Sequence, residues 1–312
     1  MTDRAEIIVG DALEQLRQMP AESVNCCVTS PPYWGLRDYG VAGQIGLDAS
    51  LSEFLAKMVA VFEEVRRVLR KDGTCWVNLG DAYAGSTQGR RTQGPMITGR
   101  RAAASNARHR PGLSDGLKHK DLMGIPWRVA FALQDAGWFL RADIIWHKPN
   151  PMPESVMDRP SRAHEYLFLL TSSNRYHYNA KAIRETAKVG NHHRNVIRPQ
   201  PSHVPAKSAH LGLWKTKGKE FGRNKRSVWT ITPQPFKGAH FATFPPKLVE
   251  PCILAGCPVD GLVLDPFAGS GTTGLVALTH GRRFLGIELN PAYAEMARQR
   301  LSAVQTRIPG VA

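Results

Sequence analysis

The feature that most constrains the fold is an alternation of short apolar strands and amphipathic helices along much of the chain. Residues 24–29 form an apolar run typical of a buried strand. A Ser-x-x-Glu capping sequence at 50–53 opens a helix whose apolar residues recur at helical spacing as far as Leu69. Basic residues such as Arg70 and Lys71 favour its C-terminal end, and Gly73 is predicted to stop it. Towards the C-terminus the pattern predicts a strand at 261–264, a helix at 272–280, a strand at 284–287 and a helix at 291–301. This alternation predicts an α/β fold with a doubly wound, mostly parallel sheet.

A glycine-rich turn, Asp265-Pro266-Phe267-Ala268-Gly269-Ser270-Gly271, joins the strand at 261–264 to the following helix. Gly269 and Gly271 let the backbone approach a ligand where a side chain would collide with it. Glu288 ends the next strand, where a carboxylate can accept hydrogen bonds from both hydroxyls of a ribose. The turn lacks a Walker lysine, which disfavours a nucleoside triphosphate. An aspartate instead suits a cationic ligand such as the amino group of S-adenosylmethionine.

A second motif, Ser30-Pro31-Pro32-Tyr33, directly follows the strand at 24–29. The motif therefore lies at the carboxyl edge of the predicted sheet, where α/β proteins bind ligands. The Ser30 hydroxyl and the Pro31 carbonyl, held by prolines of fixed φ, can accept hydrogen bonds from the exocyclic amine of a base. The nitrogen lone pair, otherwise delocalised into the ring, then faces a methyl donor. Tyr33 offers a face on which a base rotated out of a duplex can stack.

The positive charge of the chain is concentrated in two polar stretches. The chain has 41 basic and 26 acidic residues, a net charge of +15. Residues 86–120 hold eight Lys/Arg and one acid, net +7, and residues 181–226 hold twelve Lys/Arg and two acids, net +10. Two such stretches on an otherwise near-neutral chain indicate a surface that binds nucleic acid. The candidate phosphate contacts are Arg90, Arg91, Arg100, Arg101, Arg194, Arg198, Lys215, Arg223 and Lys225.

Together the two motifs resemble those of the DNA amino-methyltransferases of restriction–modification and phage systems. The catalytic motif precedes the cofactor motif, with a basic region between them, as in the β class of that family. The resemblance implies a circularly permuted, seven-stranded S-adenosylmethionine-dependent methyltransferase sheet of Rossmann-like form. Residues 1–183 would supply the catalytic half with a basic loop at 84–121, residues 184–237 the target-recognition region, and residues 238–312 the cofactor-binding half.

The resemblance also implies the roles of individual residues. The catalytic residues would be Ser30, Pro31, Pro32 and Tyr33. The cofactor would contact Asp11, Thr29, Phe244, Asp265, Pro266, Phe267, Gly269, Ser270, Gly271, Thr272 and Glu288. The expected partner is double-stranded DNA in a bacterial cytoplasm, with a homodimer and a cognate restriction endonuclease as further candidates. No membrane span and no metal site is expected.

Several alternatives remain open at this point. Ser30 rather than an aspartate favours N4-methylcytosine as the product, but some adenine-N6 enzymes of the family carry serine there. Methylation of RNA or of protein glutamine, and an inert DNA-binding module, are the other classes. A 5-methylcytosine enzyme needs a cysteine nucleophile. Cys252 lies in an apolar, helix-like run, so it is predicted to be a core residue, and the chain's five cysteines are predicted to be buried free thiols.

Overall fold

The computed structural model describes residues 4–35, 40–41, 43–85, 116–186, 222–233 and 244–305. Within these ranges the chain forms eight strands and six α-helices. The elements are β1 Ala5–Val9, α1 Ala12–Gln18, β2 Val24–Thr29, α2 Leu51–Val68, β3 Leu69–Leu79, α3 Ile125–Asp135, β4 Phe139–His147, β5 His164–Thr171, β6 Val228–Thr230, α4 Pro246–Gly256, β7 Leu262–Asp265, α5 Thr272–Thr279, β8 Arg283–Glu288 and α6 Pro291–Gln305. Within the described ranges, no helix has the length and apolar character that crossing a membrane requires.

All eight strands belong to one sheet, in the order β1-β8-β7-β2-β3-β5-β4-β6. β5 runs antiparallel to both of its neighbours, and every other pairing is parallel. This confirms the predicted doubly wound, mostly parallel sheet. It has one strand more than predicted, because the short β6 pairs in parallel with β4 at its edge.

The two faces of the sheet are covered by different helices. On one face, the core contains buried apolar residues of α1, α2 and α3, such as Leu16, Phe62 and Leu133. On the other face, the core contains those of α4, α5 and α6. Strand β2 alternates between them, since Cys27 belongs to the first cluster and Cys26 to the second. A strand buried on both faces reads as a continuous apolar run, which explains why 24–29 could be recognised in the sequence.

The order of the strands shows the circular permutation. The central pair joins β2, near the start of the chain, to β7, near its end. β1 likewise pairs with β8, with Val9 opposite Glu288. Because the pairings other than those of β5 are parallel, β1, β2, β7 and β8 all end at the same edge of the sheet. The catalytic and cofactor motifs therefore meet there, although they are distant in the sequence.

The boundary between α2 and β3 differs from the sequence prediction. Helix α2 starts where predicted, with the Ser50 hydroxyl accepting from the Glu53 amide at 3.1 Å. It ends at Val68 rather than at Gly73, and the strand begins at once with Leu69. The amides of Glu22 and Ser23 donate to the carbonyls of the last helical turn, so the helix needs no glycine stop. Arg70 and Lys71, which were predicted to lie in the helix, instead lie in β3, where the β2–β3 pairing has a register shift.

All five cysteines are buried and free, as predicted. Cys252 lies in α4 with no exposed surface, and burial raises the pKa of its thiol. Burial likewise raises the pKa of Cys257 to about 12. A thiol in such surroundings stays protonated and is a poor nucleophile, so Cys252 is a core residue, as the sequence analysis predicted.

Candidate active site

A cleft of about 900 Å³, including space open to solvent, lies at the carboxyl edge of the sheet. It is formed by the segments that follow β1, β2, β7 and β8, together with Val41, residues 43–45 and Phe244. The carboxyl edge of the sheet is where α/β proteins bind small molecules and cofactors. The lining residues are Gly10, Asp11, Ala12, Ser30, Pro32, Val41, Gly43, Gln44, Ile45, Phe244, Pro266, Phe267, Ala268, Gly269, Ser270, Thr272, Glu288, Leu289, Asn290 and Tyr293.

The carboxylate of Glu288 is fixed by the backbone around it. Its Oε2 accepts from the Gly269 amide at 2.8 Å, and its Oε1 accepts from the Asn290 amide at 2.9 Å. Burial raises the pKa of Glu288, whereas these backbone hydrogen bonds lower it. Each carboxylate oxygen can accept a further hydrogen bond. The side chain is therefore held in one orientation on the wall of the cleft, with capacity left for the hydroxyls of a ligand.

The remainder of the cleft combines apolar walls with a second carboxylate. Phe244, Phe267 and Ile45 are apolar lining residues, which suit a planar heterocycle. Asp11 also lines the cleft, and its side chain caps α1 by accepting from the Glu14 amide at 3.0 Å. An apolar slot between two carboxylates fits a nucleoside, with the ring in the slot and the hydroxyls on a carboxylate.

Asp265 lies behind this lining and has only 1% of its surface exposed. Its Oδ1 accepts from the Thr29 hydroxyl at 2.6 Å and from the Phe267 amide at 3.1 Å. Its Oδ2 accepts from the Thr273 hydroxyl at 2.6 Å. Burial raises the pKa of Asp265 to about 6, although these hydrogen bonds lower it. The carboxylate thus ties the end of β2 to the end of β7 and to the start of α5.

The catalytic motif leads from the cleft into a polar network. Ser30 lines the cleft, and its Oγ lies 3.5 Å from the Tyr33 hydroxyl. That hydroxyl donates to Glu165 Oε2 at 3.0 Å, and Asn78 Oδ1 lies 3.5 Å away from it. Glu165 also forms an ion pair with Lys148, whose ammonium lies 4.4 Å from the centre of the Trp146 ring. Tyr33 is therefore held in place by residues of β3 and β5.

A glycine allows Tyr33 to take this position. A Cβ on Gly80 would lie 2.7 Å from Cε2 of the Tyr33 ring, which is closer than real contacts allow. Gly80 follows β3 directly, so it lies at the same edge of the sheet as the catalytic motif. A side chain at this position would displace the ring.

The structure brings most of the predicted cofactor and catalytic residues to the cleft. Ten of them line it: Asp11, Ser30, Pro32, Phe244, Pro266, Phe267, Gly269, Ser270, Thr272 and Glu288. Five do not: Thr29, Pro31, Tyr33, Asp265 and Gly271. Gly271 instead begins α5 with a φ of +76°, and a Cβ there would lie 3.0 Å from Ala297 Cβ of α6. Its glycine is required by backbone conformation and helix packing, while the ligand contacts predicted for these five residues stay predictions.

Some residues of the site carry roles that were not predicted from the sequence. Asn290 and Tyr293 line the cleft beyond Glu288, and Gln44 lines it from the segment before α2. Glu165 and Lys148 hold Tyr33 from the far side. No motif marks Lys148 or the cleft residues named here, whereas Glu165 lies in the segment 164–168, which resembles a strand that walls the target pocket in the amino-methyltransferases; its contact with Tyr33 was not predicted.

Two of the nine candidate DNA-binding residues lie in the described chain. Arg223 forms an ion pair with Glu185 at 2.9 Å, and the Lys225 ammonium lies 4.8 Å from the centre of the Trp229 ring. The other seven lie outside the described residues: Arg90, Arg91, Arg100, Arg101, Arg194, Arg198 and Lys215. Contact of all nine with DNA stays a prediction.

Comparison with known proteins identifies the family. The family model of the N6/N4 methyltransferases, described as DNA methylase, matches residues 24–299. The type II methyltransferase M.Cfr9I of Citrobacter freundii is 47% identical over 308 residues, which cover 99% of this chain and 91% of that protein. The match therefore extends over both motifs and the basic region between them.

Solved structures agree with this assignment. TTHA0409 of Thermus thermophilus, described as a DNA modification methylase and solved with S-adenosylmethionine, is 26% identical and superposes with a TM-score of 0.59 over 98% of this chain and 95% of that one. The cytosine-N4-specific PvuII DNA methyltransferase, 20% identical, has the same fold, with a TM-score of 0.62 over 98% of this chain and 93% of that one. The chain therefore belongs to the N6/N4 DNA methylase family, and it is an S-adenosylmethionine-dependent DNA methyltransferase related to those of type II restriction–modification systems.

Proposed function

We propose that this enzyme methylates the N4 amine of a cytosine that rotates out of double-stranded DNA. The observation that carries the proposal is the placement of Ser30. A serine begins the catalytic motif, and it lines the same cleft as Glu288 and the glycine turn. A base amine at Ser30 would thus lie beside the methyl donor, at the carboxyl edge of the sheet.

The cofactor binds along the apolar part of the cleft in this proposal. Phe244, Phe267 and Ile45 would hold its adenine, and Glu288, the fixed carboxylate, would accept from its ribose hydroxyls. Asp11, at the start of α1, would contact the adenine. S-adenosylmethionine supplies an electrophilic methyl group on a sulfonium sulfur. Asp265 then acts as a positioning residue, since it ties the strand of the catalytic motif to the strand of the cofactor turn.

The chain's own residues prepare the amine. The Ser30 hydroxyl and the Pro31 carbonyl accept its two N–H hydrogens and draw the nitrogen away from planarity, so that its lone pair points towards the methyl group. Prolines at 31 and 32 fix the backbone, which keeps the accepting carbonyl in place. The contribution of these residues is orientation, which can account for several kcal/mol of a methyl-transfer barrier.

Tyr33 supplies the stacking face for the base. An aromatic ring contributes about 1–3 kcal/mol per stacked base. The ring is oriented through its hydroxyl, which donates to Glu165, and Glu165 is in turn held by Lys148. Glu165 and Lys148 are therefore positioning residues in this proposal. They fix the plane in which the base lies relative to Ser30.

The choice of cytosine rests on the identity of residue 30. Enzymes of the family that act on adenine usually carry aspartate at this position, which offers a second acceptor oxygen. Here the side chain offers one hydroxyl. The PvuII enzyme is cytosine-N4-specific, and it shares the fold of this chain, which is compatible with the proposal but does not by itself assign the base. Adenine N6 is the alternative target.

Expression in a host that lacks DNA methylation tests the proposal. Genomic DNA from that host is digested to nucleosides for mass spectrometry, and the same DNA is sequenced with detection of modified bases. We expect N4-methylcytosine at one recognition sequence, and none in a host that expresses Ser30→Ala. N6-methyladenine would overturn the choice of base, and unmodified DNA would overturn the proposed activity.

The cellular setting is a further part of the proposal. We place the enzyme in the cytoplasm, acting with a cognate restriction endonuclease, because its relative M.Cfr9I is a type II methyltransferase. A homodimer is the proposed assembly. Sedimentation of the purified protein measures its mass in solution, and a 34.5 kDa species at all concentrations would contradict the dimer.

A further inference from the structure

The connection between β4 and β5, residues 148–163, lies at the catalytic edge of the sheet. β4 ends with His147 and β5 begins with His164, so the loop starts and finishes beside Tyr33's partner Glu165. Its base is closed by a hydrogen bond from the Lys148 amide to the Ala163 carbonyl at 2.7 Å. The loop therefore projects from the rim of the pocket proposed for the target base.

Ion pairs and cation–π contacts hold this loop. Arg159 pairs with Glu154 at 2.5 Å, and both side chains are about four-fifths buried. The Arg159 guanidinium lies 3.8 Å from the centre of the Tyr83 ring, in the segment after β3. Asp158 accepts from Lys120 at 2.7 Å. Contacts to two other segments thus hold the loop directly after residue 157, and the Glu154–Arg159 pair ties the part before residue 157 to this anchor.

Two methionines on this held loop face solvent. Met157 is 103% exposed and Met152 is 86% exposed, the highest values among the large hydrophobic side chains of the described residues. Exposed apolar side chains are common singly, but two on one anchored loop, beside a substrate pocket, indicate a surface that a partner covers. Their long, flexible thioether chains adapt to irregular apolar surfaces.

We propose that Met152 and Met157 form a wedge that enters the base stack of the DNA where the target base leaves it. This inference rests on the proposed function, because only an enzyme that extrudes a base opens such a gap. The gap exposes the apolar faces of the neighbouring bases, and methionine is among the side chains that proteins insert between base steps. The wedge thereby lowers the cost of extrusion.

The partner is duplex DNA because of where the loop lies. The loop begins and ends beside Glu165, the partner of Tyr33, at the edge of the sheet where the substrate must arrive. Arg159 of the loop also lies against Tyr83. Tyr83 pairs with Leu122, and these two residues flank the stretch 86–120, which has a net charge of +7. Phosphates attracted by that stretch bring the helix to the loop.

The experiment uses a duplex oligonucleotide with the sequence that host expression shows to be methylated. Single-turnover methylation is measured on the matched duplex and on a duplex with an abasic site opposite the target base, where extrusion costs less. For M152A/M157A we expect a rate about tenfold or more below wild type on the matched duplex and within about threefold of it on the abasic duplex. M152L/M157L, which keeps the apolar wedge, should match wild type on both.

A second readout works without methyl transfer. The fluorescence of 2-aminopurine at the target position rises when that base unstacks, and we expect M152A/M157A to reduce the rise that wild type produces. Val259→Ala removes another exposed apolar side chain, 66% exposed, from the turn before β7, and should change neither readout. The wedge is overturned if M152A/M157A loses rate by the same factor on both duplexes. It is also overturned if M152A/M157A behaves like wild type in the methylation rate and in the fluorescence. N6-methyladenine in place of N4-methylcytosine at the recognition sequence overturns the proposed function, whereas the wedge is still tested on the same two duplexes, because either base must leave the stack.

Discussion

Replacing Asp265 by asparagine removes a buried charge and keeps the shape of the side chain. The amide oxygen can still accept from Thr29 and Phe267. The amide nitrogen can donate to Thr273, whose own hydroxyl hydrogen then turns to the Val28 carbonyl, 3.3 Å away. Asp265→Asn should therefore fold. The substitution should change the way in which the free energy of unfolding depends on pH.

The magnitude follows from the shift in pKa. Burial raises the pKa of Asp265 from 3.8 to about 6. The folded protein thus holds this proton more tightly than the unfolded chain does. The stability that Asp265 contributes is fully present below about pH 4 and is lost as the pH rises through 6. A shift of about 2 units corresponds to about 3 kcal/mol.

Urea unfolding of wild type and Asp265→Asn between about pH 4 and 8 measures this difference. The free energy of unfolding of the variant, relative to wild type, should rise by about 3 kcal/mol from pH 4 to 7, and then stay level. Other titrating groups cancel, because both proteins share them. Two curves that run parallel across this range would refute the argument that burial of Asp265 carries an electrostatic cost.

Three further predictions concern the reaction and its ligands. Ser30→Ala should reduce methyl transfer by about 100-fold or more, as expected for the loss of an orienting contact, yet keep cofactor affinity in calorimetric titration; unchanged turnover would remove Ser30 from the mechanism. Glu288→Gln should weaken S-adenosylmethionine binding by about 10- to 100-fold, because charged hydrogen bonds are lost, while Glu295→Gln on the exposed side of α6 should not; equal affinities would contradict the ribose assignment. DNA affinity, measured by fluorescence anisotropy, should fall steeply between about 50 and 200 mM salt, as it does for about 6–10 phosphate contacts. A flat response would mean that the basic stretches do not bind phosphates.

The sequence predicted the strands and helices whose pattern is strong. Strand β2 is buried on both faces and reads as a continuous apolar run, and α2 carries a capping box that the structure contains. β6 was missed because three residues are too few to show a period. The end of α2 was wrong because its last carbonyls are satisfied by amides of the segment before β2, which is a tertiary contact.

The site was predictable where its residues are contiguous in the sequence. Two predicted segments line the cleft because each follows a strand that ends at the same edge of the sheet. They are Ser30 with Pro32, after β2, and the turn from Pro266 to Ser270, after β7. The contact between Glu165 and Tyr33 escaped prediction because the two residues are 132 positions apart, and only the path of β5 brings them together. Asp265 does not line the cleft, because its carboxylate accepts from Thr29 and Thr273 hydroxyls behind the wall, and its predicted contact with the cofactor stays a prediction.

The pairing of β2 with β7 affects how the enzyme folds during its synthesis on the ribosome. The bond between Thr29 and Asp265 spans 236 positions, so the strand that carries the catalytic motif emerges long before its neighbour. At about 5–20 residues per second, β2 waits roughly 10–50 s for the strand that completes its sheet. Contacts of such long range also slow folding. A nascent chain thus holds the catalytic motif without its cofactor turn until β7 has emerged.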